Sequence, residues 1–374
     1  MGLPRLKDVE KQQSVDIPLL ILTLLLTGMG LVMIYSASFA RARYETGDSA
    51  YFFKRQLVFA ILGVFAMALI SRMKPELVRK LAFPILGVSI LCLVLVFVPG
   101  LGQSENGATR WLRLGVSFQP SEVAKLGVIL SFAAMIASFG EKMSEFRYLL
   151  PFAAILVVII ILLRLEPHNS AIVIILCTAG AMLFLGGVQY RWFFLAAGIM
   201  GVGILLILGA GGYELSRITA WQDPFSDPTD DGYQIIQSLY AIGSGGLLGL
   251  GFGQGRQKYL YLPEEHNDYI FSIACEELGF VGAVGILAVY AMLILRGYYI
   301  ALHIKDRFLS LMVSGITTLT AIQVFFNIGV VTNLLPSTGI SLPFFSYGGT
   351  ALLIQLGQMG LILGASRQIS TGYL

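Results

Sequence analysis

The sequence is poor in charged residues. Asp, Glu, Lys and Arg make up 13% of its 374 residues, about half their share in a soluble globular domain. Hydrophobic residues make up 56%, and the mean hydropathy is +0.79. This composition excludes an ordinary soluble domain and indicates an integral membrane protein. The net charge of +3 is too small to indicate nucleic-acid binding, which depends on a strongly basic surface.

Cysteine and histidine are also scarce, with three residues of each. Cys92, Cys177 and Cys275 lie in separate apolar segments, without the spacing of a metal site or of a disulfide framework. His168 follows Glu166-Pro at a helix junction and has no second ligand close in sequence. We therefore expect a hydrogen-bonded loop histidine and no metal site in the protein.

Long apolar runs recur along the chain. A helix needs about 20 apolar residues to cross the hydrocarbon layer, and runs near that length predict about ten transmembrane helices in an all-α polytopic membrane protein. The segment 1–13 is polar and mixed in charge, so no cleavable signal peptide is expected. The predicted spans are Ile17–Tyr35, Leu57–Ile70, Leu81–Val98, Val123–Ser138, Leu149–Leu163, Ala171–Val188, Trp192–Ala210, Tyr269–Leu295, Leu309–Val331 and Thr350–Ala365.

Basic residues give the predicted orientation. Most fall between spans on one side, which the positive-inside rule assigns to the cytoplasm. The expected domains are a cytoplasmic tail 1–16, a transmembrane domain 17–366 and a cytoplasmic tail 367–374. Polar loops over about 100–120 and 211–267 lie on the outer face, the larger between helices seven and eight. The basic residues are Arg5, Lys7, Lys11, Arg72, Lys74, Arg79, Lys80, Lys142, Arg147, Arg191, Arg296, Lys305, Arg307 and Arg367.

The stretch Leu262–Gly279 joins the larger loop to the eighth span. Carboxylates near a membrane core are costly and usually indicate a functional site. Asp268, at the predicted helix start, is also explained by the positive end of the helix dipole. Glu276 and Glu277 lie about two turns further in, too deep for that explanation. The ionisable residues here are Glu264, Glu265, His266, Asp268, Glu276 and Glu277.

A second polar group begins the fourth span. Gln119-Pro-Ser121 predicts a helix start with Ser121 as N-cap. Glu122 and Lys125 are then neighbours on one helical face. An exposed pair of this kind would be a simple salt bridge. A buried ammonium, however, needs a carboxylate or phosphate partner, which favours a functional role.

Three further segments are candidates. Arg217, Gln234 and nearby aromatic residues suit a sugar or phosphate, but they could equally hold the loop to itself. The glycine run 243–255 is more typical of flexible packing than of an anion site. The segment 333–349, with Ser337 and Thr338, contains two prolines and cannot form a continuous helix. At membrane depth such backbone is buried or lines a cavity.

Together these segments resemble the SEDS family (shape, elongation, division and sporulation), which includes FtsW, RodA and SpoVE. The resemblance covers nearly the whole chain from Ile17 to Ser366. The C-terminal Gln-Met-Gly-Leu-Ile-Leu-Gly-Ala-Ser-Arg and His168 favour the division and sporulation branch. The motifs are Gly107-Ala-Thr-Arg-Trp111, Gln119-Pro-Ser-Glu-Val-Ala-Lys125, Arg217-Ile, Asp231-Gly-Tyr-Gln-Ile-Ile-Gln-Ser238, Leu262-Pro-Glu264, Glu276-Glu-Leu-Gly279, Pro336-Ser-Thr-Gly-Ile340 and Pro343-Phe-Phe-Ser-Tyr-Gly-Gly349.

The resemblance implies an inverting peptidoglycan glycosyltransferase of the bacterial cytoplasmic membrane. It would polymerise lipid II into β-1,4 glycan for division, shape or sporulation. Its implied partners are the growing strand, a class B penicillin-binding protein that crosslinks it, and other divisome or elongasome proteins; a divalent cation on the diphosphate stays open. One departure is His168, where many members have aspartate.

The resemblance places the family's catalytic base on Asp268 and its diphosphate-binding cations on Lys125 and Arg110. We expect Glu122 to hold Lys125 in place. Glu276 and Glu277 are expected to orient the eighth span. Further substrate-binding candidates are Arg217, Gln234, Ser337 and Thr338.

Two other functions remain open. A lipid II flippase would need polar access from both faces, whereas the polar loops are concentrated on one face, which favours an enzyme. A non-catalytic scaffold for the penicillin-binding protein would use the same charges structurally.

Overall fold

A computed structural model describes residues 14–105, 108–113, 115, 117–195, 198, 219–229 and 232–369. Helices dominate these residues. They are α1 (Ile17–Thr46), α2 (Tyr51–Ile70), α3 (Pro75–Leu95), α4 (Pro120–Phe139), α5 (Leu150–Leu165), α6 (Asn169–Leu185), α7 (Tyr233–Gly245), α8 (Ile270–His303), α9 (Arg307–Val331) and α10 (Gly349–Ser366).

Eight helical stretches of the described chain are long and apolar enough to cross a membrane, which confirms the polytopic all-α prediction. They include α1 to α5 and α8 to α10. The sixth predicted span corresponds to α6, which is shorter at 17 residues. The seventh, Trp192–Ala210, falls largely outside the described residues.

The first helix is longer than predicted. Asp16 caps it by accepting the Leu19 N–H (2.9 Å), and it ends where Gly47 adopts φ 76°. Its 30 residues extend about 45 Å, well beyond a hydrocarbon layer of about 30 Å. The apolar run stops at Tyr35, but no helix-breaking residue follows before Gly47. The last turns, which carry Arg41 and Glu45, therefore continue beyond the apolar run.

A small antiparallel sheet, β1 (Gly102–Glu105), β2 (Ala108–Arg113) and β3 (Ser117–Phe118), lies between α3 and α4. Leu112 is central to it, because it pairs with both Gly102 and Phe118 and is completely buried. The predicted loop 100–120 is thus partly a sheet. Its consequence for the site is that Arg110 stands on a strand.

The eighth span is broken at Gly279, which has φ 67° and ψ −171° inside α8. Two helical hydrogen bonds are replaced there by bonds to the segment 246–251, which follows α7. The N–H groups of Leu250 and Gly251 donate to the carbonyl oxygens of Glu276 and Glu277 (3.0 Å each). The N–H groups of Phe280 and Val281 donate to the carbonyls of Gly246 and Leu247 (2.9 and 3.1 Å).

This exchange explains part of the glycine run. Buried backbone groups must find partners, and the segment 246–251 supplies them for the break in α8. Because the break lies about 14 Å along α8 from its first residue, the predicted outer loop is re-entrant here. The backbones meet so closely that a Cβ at Gly249 would overlap the Glu277 carbonyl oxygen.

We expect Gly249→Ala to destabilise the protein. Gly249 has φ 80°, where an L residue loses about 1–2 kcal/mol, and the overlap adds to that. Gly243→Ala is the matched control, because its Cβ would meet nothing within 4 Å inside α7. It should stabilise by about 0.5–1 kcal/mol. Thermal unfolding in detergent measures the stability of both variants. Equal changes in their unfolding temperatures would contradict the close approach of the Gly249 and Glu277 backbones.

The two carboxylates before the break hold the returning chain. Glu276 accepts the backbone N–H groups of Arg256 (2.8 Å) and Gln257 (3.2 Å). Glu277 accepts from Lys258 Nζ at 2.7 Å and from Ser36 Oγ of α1 at 2.7 Å. These contacts bind the re-entrant segment to α1 and α8.

Candidate functional site

A cavity of about 700 Å³ opens at the end of the bundle where α1 ends and α2 begins. It is bounded by the first turns of α2, α4, α6 and α10, by β2, by α9 and by the chain before α8. Its lining carries equal numbers of basic and acidic side chains. They are Arg41, Arg55, Arg110, Lys125, Glu45, Glu122, Glu264 and Asp268.

Asp268 is half-buried on this cavity, two residues before α8. Asn327 of α9 fixes its backbone by donating Nδ2 hydrogens to the carbonyls of Asp268 (2.7 Å) and Ile340 (2.8 Å). A Cβ at Gly339 would lie 3.0 Å from Asp268 Oδ2. The carboxylate is therefore set by α9 and by the non-helical segment before α10.

Glu122 and Lys125 line the same cavity and form a buried ion pair at 2.7 Å. Lys125 is 4% exposed and Glu122 is 7% exposed. The predicted cap was wrong, because α4 begins at Pro120 with Gln119 as N-cap. Ser121 instead lies inside the first turn, where its buried Oγ has no partner in the described part of the chain.

Arg110 reaches from β2 to the turn between α5 and α6, where its Nη2 donates to the Pro167 carbonyl (2.6 Å). The flanking Glu166 is buried, and burial raises the pKa of its carboxyl to about 8 although Arg110 opposes the shift. Burial, together with the charges of Arg110 and Lys125, lowers the pKa of His168 to about 3.

His168 differs from its prediction. It lines the cavity, is 6% exposed, and its Nδ1 makes no hydrogen bond within the described residues. It is thus a buried cavity residue and not a hydrogen-bonded loop histidine. Its imidazole is neutral at physiological pH because of the low pKa.

Two arginines of the cavity were missed. Arg41 near the end of α1 forms a two-point ion pair with Glu265 (2.7 and 2.8 Å). Burial opposes ionisation of Glu265, but neighbouring His266 and Arg41 outweigh it and lower the pKa. Arg55 follows one turn into α2 and donates to Tyr51 Oη (3.0 Å). Helical continuity beyond Tyr35 was the signal that could have found Arg41.

Three predicted substrate-binding residues lie elsewhere. Gln234 donates to the Pro263 carbonyl (3.3 Å), and Ser337 Oγ lies 3.4 Å from Tyr269 Oη. Thr338 is close in sequence to Gly339, but its buried Oγ1 finds no partner among the described residues. None of these three lines the cavity, and Arg217 is outside the described residues. Their roles stay predictions.

The fold and the cavity define a multi-pass membrane protein with a charged site at one end of its helix bundle. Residues 17–371 match the family model FtsW/RodA/SpoVE, described as "Cell cycle protein". The chain belongs to this family, which confirms the resemblance.

Relatives match over nearly their full lengths. The probable peptidoglycan glycosyltransferase FtsW of Geobacter sulfurreducens is 41% identical over 365 residues, covering 97% of this chain and 98% of the relative. The stage V sporulation protein E of Bacillus subtilis is 41% identical over 360 residues, covering 96% and 98%.

Solved structures share the fold. One is a chain from a study of the coordination of polymerization and crosslinking by a peptidoglycan synthase complex (TM-score 0.79, 29% identity, 96% of this chain and 99% of that chain). Another is the rod shape determining protein RodA of Thermus thermophilus (TM-score 0.70, 30% identity, 95% and 97%).

Proposed function

We propose that this chain is a peptidoglycan glycosyltransferase that polymerises lipid II. The observation that carries the proposal is the shared cavity, in which Asp268 lies with the Glu122–Lys125 pair and Arg110. The names of the FtsW relatives and the synthase-complex chain support the same activity. An acid beside fixed cations is what transfer from a sugar diphosphate needs.

The reaction joins the hydroxyl of an acceptor sugar to the anomeric carbon of a donor sugar and releases the lipid diphosphate. Asp268 is the proposed base that takes the hydroxyl proton, a role worth about 10²–10⁴-fold in rate. Lys125 and Arg110 are the proposed cations that stabilise the leaving diphosphate, since preorganised charge acts most strongly away from water. Attack from the face opposite the leaving group gives inversion and a β-linked glycan.

The proposed location is the bacterial cytoplasmic membrane, with both termini in the cytoplasm and the cavity on the outer face. The distribution of basic residues supports this orientation. The proposed partner is a class B penicillin-binding protein that crosslinks the new strand. The relation to a chain of a peptidoglycan synthase complex supports a partner of this kind.

The direct test is polymerisation of labelled lipid II by the purified chain, with and without a class B partner. Glycan chains should appear in at least the sample with the partner. Transfer of lipid II between bilayer leaflets, measured on the same preparation, separates the enzyme from a flippase. Absence of polymer from both samples would contradict the proposal.

We expect Lys125→Ala to lose more polymerisation than Lys125→Arg. A diphosphate contact depends on positive charge, which arginine keeps and alanine removes. Initial rates of glycan synthesis at saturating and limiting lipid II provide the measurement. Equal losses would indicate that side-chain geometry or folding decides the effect instead.

A double variant controls for folding. Lys125→Ala alone leaves Glu122 buried without its cation, which is itself destabilising. Glu122→Gln with Lys125→Met removes both charges and should recover stability in detergent. If the lysine serves the substrate, this stable double variant stays inactive; recovered polymerisation would assign the pair a structural role.

A further inference from the structure

Ser121 and His168 line the cavity and are 1% and 6% exposed. Ser121 Oγ and His168 Nδ1 have no hydrogen-bond partner among the described residues. Gln323 of α9 lines the same cavity and is 3% exposed. Buried polar groups are almost always paired, and leaving one unpaired costs about 1–3 kcal/mol. The two unpaired atoms, together with a buried amide on the same cavity, indicate a ligand that completes their hydrogen bonds.

Helix packing places two of them at one depth. A Cβ at Gly315 of α9 would touch Ile129 of α4 (2.8 Å) and Met182 of α6 (2.9 Å). Gln323 lies eight residues after Gly315 on α9, and Ser121 lies eight residues before Ile129 on α4, both in the direction of the cavity. Both are about 12 Å from the contact, at the helical rise of 1.5 Å per residue.

The other groups are placed relative to this level. On α6, Ile174 lies eight residues before Met182 and also lines the cavity. His168 precedes the start of that helix. Asn327, which holds the Asp268 carbonyl, is one turn further out than Gln323. The three groups therefore surround the inner part of the cavity, with Gln323 about 6 Å below the level of Asp268.

All three are neutral and offer both a donor and an acceptor. His168 is included because its lowered pKa keeps the imidazole uncharged. A diphosphate only accepts hydrogen bonds, so Lys125 and Arg110 can serve it, while the Gln323 carbonyl and one His168 nitrogen would stay unpaired. An acetamido group has one N–H donor and one C=O acceptor, and the Gln323 carboxamide matches both.

We propose that Ser121, His168 and Gln323 form a subsite for the acetamido group of the sugar joined to the lipid diphosphate. The inference rests on the proposed function and deepens it. In that sugar the acetamido group is on the carbon next to the one that bears the diphosphate. A diphosphate held by Lys125 and Arg110 therefore brings it to the neutral groups beside them.

The subsite determines specificity. A sugar with the acetamido group completes the buried hydrogen bonds, whereas one without it leaves them unpaired inside the protein. Sites built to bond a substrate group discriminate strongly against an analogue that lacks it. Gln323 is central, because only its side chain offers an amide that pairs with an amide at two points.

The test compares lipid II with an analogue that carries a hydroxyl group in place of that acetamido group. Polymerisation is measured with the purified full chain and its class B partner. The wild-type kcat/KM should be about 5- to 150-fold higher for lipid II, since one lost buried bond is worth roughly 1–3 kcal/mol. Gln323→Leu should bring this ratio close to one, mainly by slowing lipid II. An unchanged ratio in the variant overturns the subsite.

Gln358→Leu is the matched control. Gln358 is 2% exposed on α10 and does not line the cavity, so the ratio should stay at the wild-type value. If Gln323→Leu does not fold, equilibrium binding of the two lipids to Ser121→Ala and His168→Asn makes the same comparison. Equal preference for lipid II in these variants and the wild type then overturns the proposal.

The two proposals fail differently. No polymer from wild-type protein with its partner contradicts the glycosyltransferase function. Polymer formed equally well from lipid II and the analogue leaves that function intact and removes only the acetamido subsite.

Discussion

Asp268→Asn is expected to abolish glycan polymerisation while lipid II still binds. Asparagine keeps the size and the polar surface of the side chain but cannot accept a proton, so the rate should fall by about 10²–10⁴-fold. The backbone contact with Asn327 (2.7 Å) does not depend on the carboxylate. Labelled glycan product and a lipid II binding isotherm, measured on one preparation, provide the two readouts.

Asp306→Asn is a control for loss of an acid in general. Asp306 is the N-cap of α9 and pairs with Arg79. It therefore lies at the opposite end of α9 from the turns that border the cavity. This variant should polymerise at close to the wild-type rate. Long glycan from Asp268→Asn at an undiminished rate would exclude the base role, and loss of lipid II binding would point to a role in substrate affinity instead.

Asp268, Glu122 and Lys125 could be predicted because charge stands out at the edge of an apolar run. Burying such a group is costly unless it is paired or functional. Glu122 and Lys125 lie at the start of the fourth predicted span, and Asp268 lies just before the eighth. Alternating helix direction puts the starts of even-numbered spans on one membrane face. The shared cavity therefore follows from sequence position together with alternating helix direction.

The break in α8 could not be predicted in the same way. The apolar run continues through Gly279, and a single glycine inside a helical pattern is usually tolerated. What opens the helix is the segment 246–251, about thirty residues earlier, whose N–H and C=O groups replace two helical bonds. Pairing of this kind depends on tertiary structure and cannot be predicted from the helical periodicity of the sequence.

Arg41 and Gln323 were missed for two different reasons. The apolar run ends at Tyr35 and predicts a helix end there, although the helix continues to Thr46. Gln323 is uncharged and lies within an apolar span, so no charge distinguishes it from its neighbours. Yet a polar side chain in a membrane helix usually faces the protein interior, so a glutamine two turns from the end of α9 is a signal that could have found Gln323.

The second large effect is expected at the ion pair beneath the helix break. Glu277→Ala leaves the Lys258 ammonium, 2% exposed, with Ser36 Oγ at 3.2 Å as its remaining hydrogen-bond partner among the described residues. Removing one partner of a buried pair typically costs about 3–5 kcal/mol. We expect a decrease of that size in the free energy of unfolding, measured by denaturant titration in detergent micelles.

A double variant separates the charge from the packing. Lys258→Met with Glu277→Gln removes both charges and keeps side chains of similar length, so it should be much more stable than Glu277→Ala. Because α8 begins two residues after Asp268, movement of the re-entrant segment should also disturb the proposed base. Glu277→Ala should therefore lose polymerisation, and the double variant should recover most of it. Full activity in a destabilised Glu277→Ala would show that the segment and the cavity are independent.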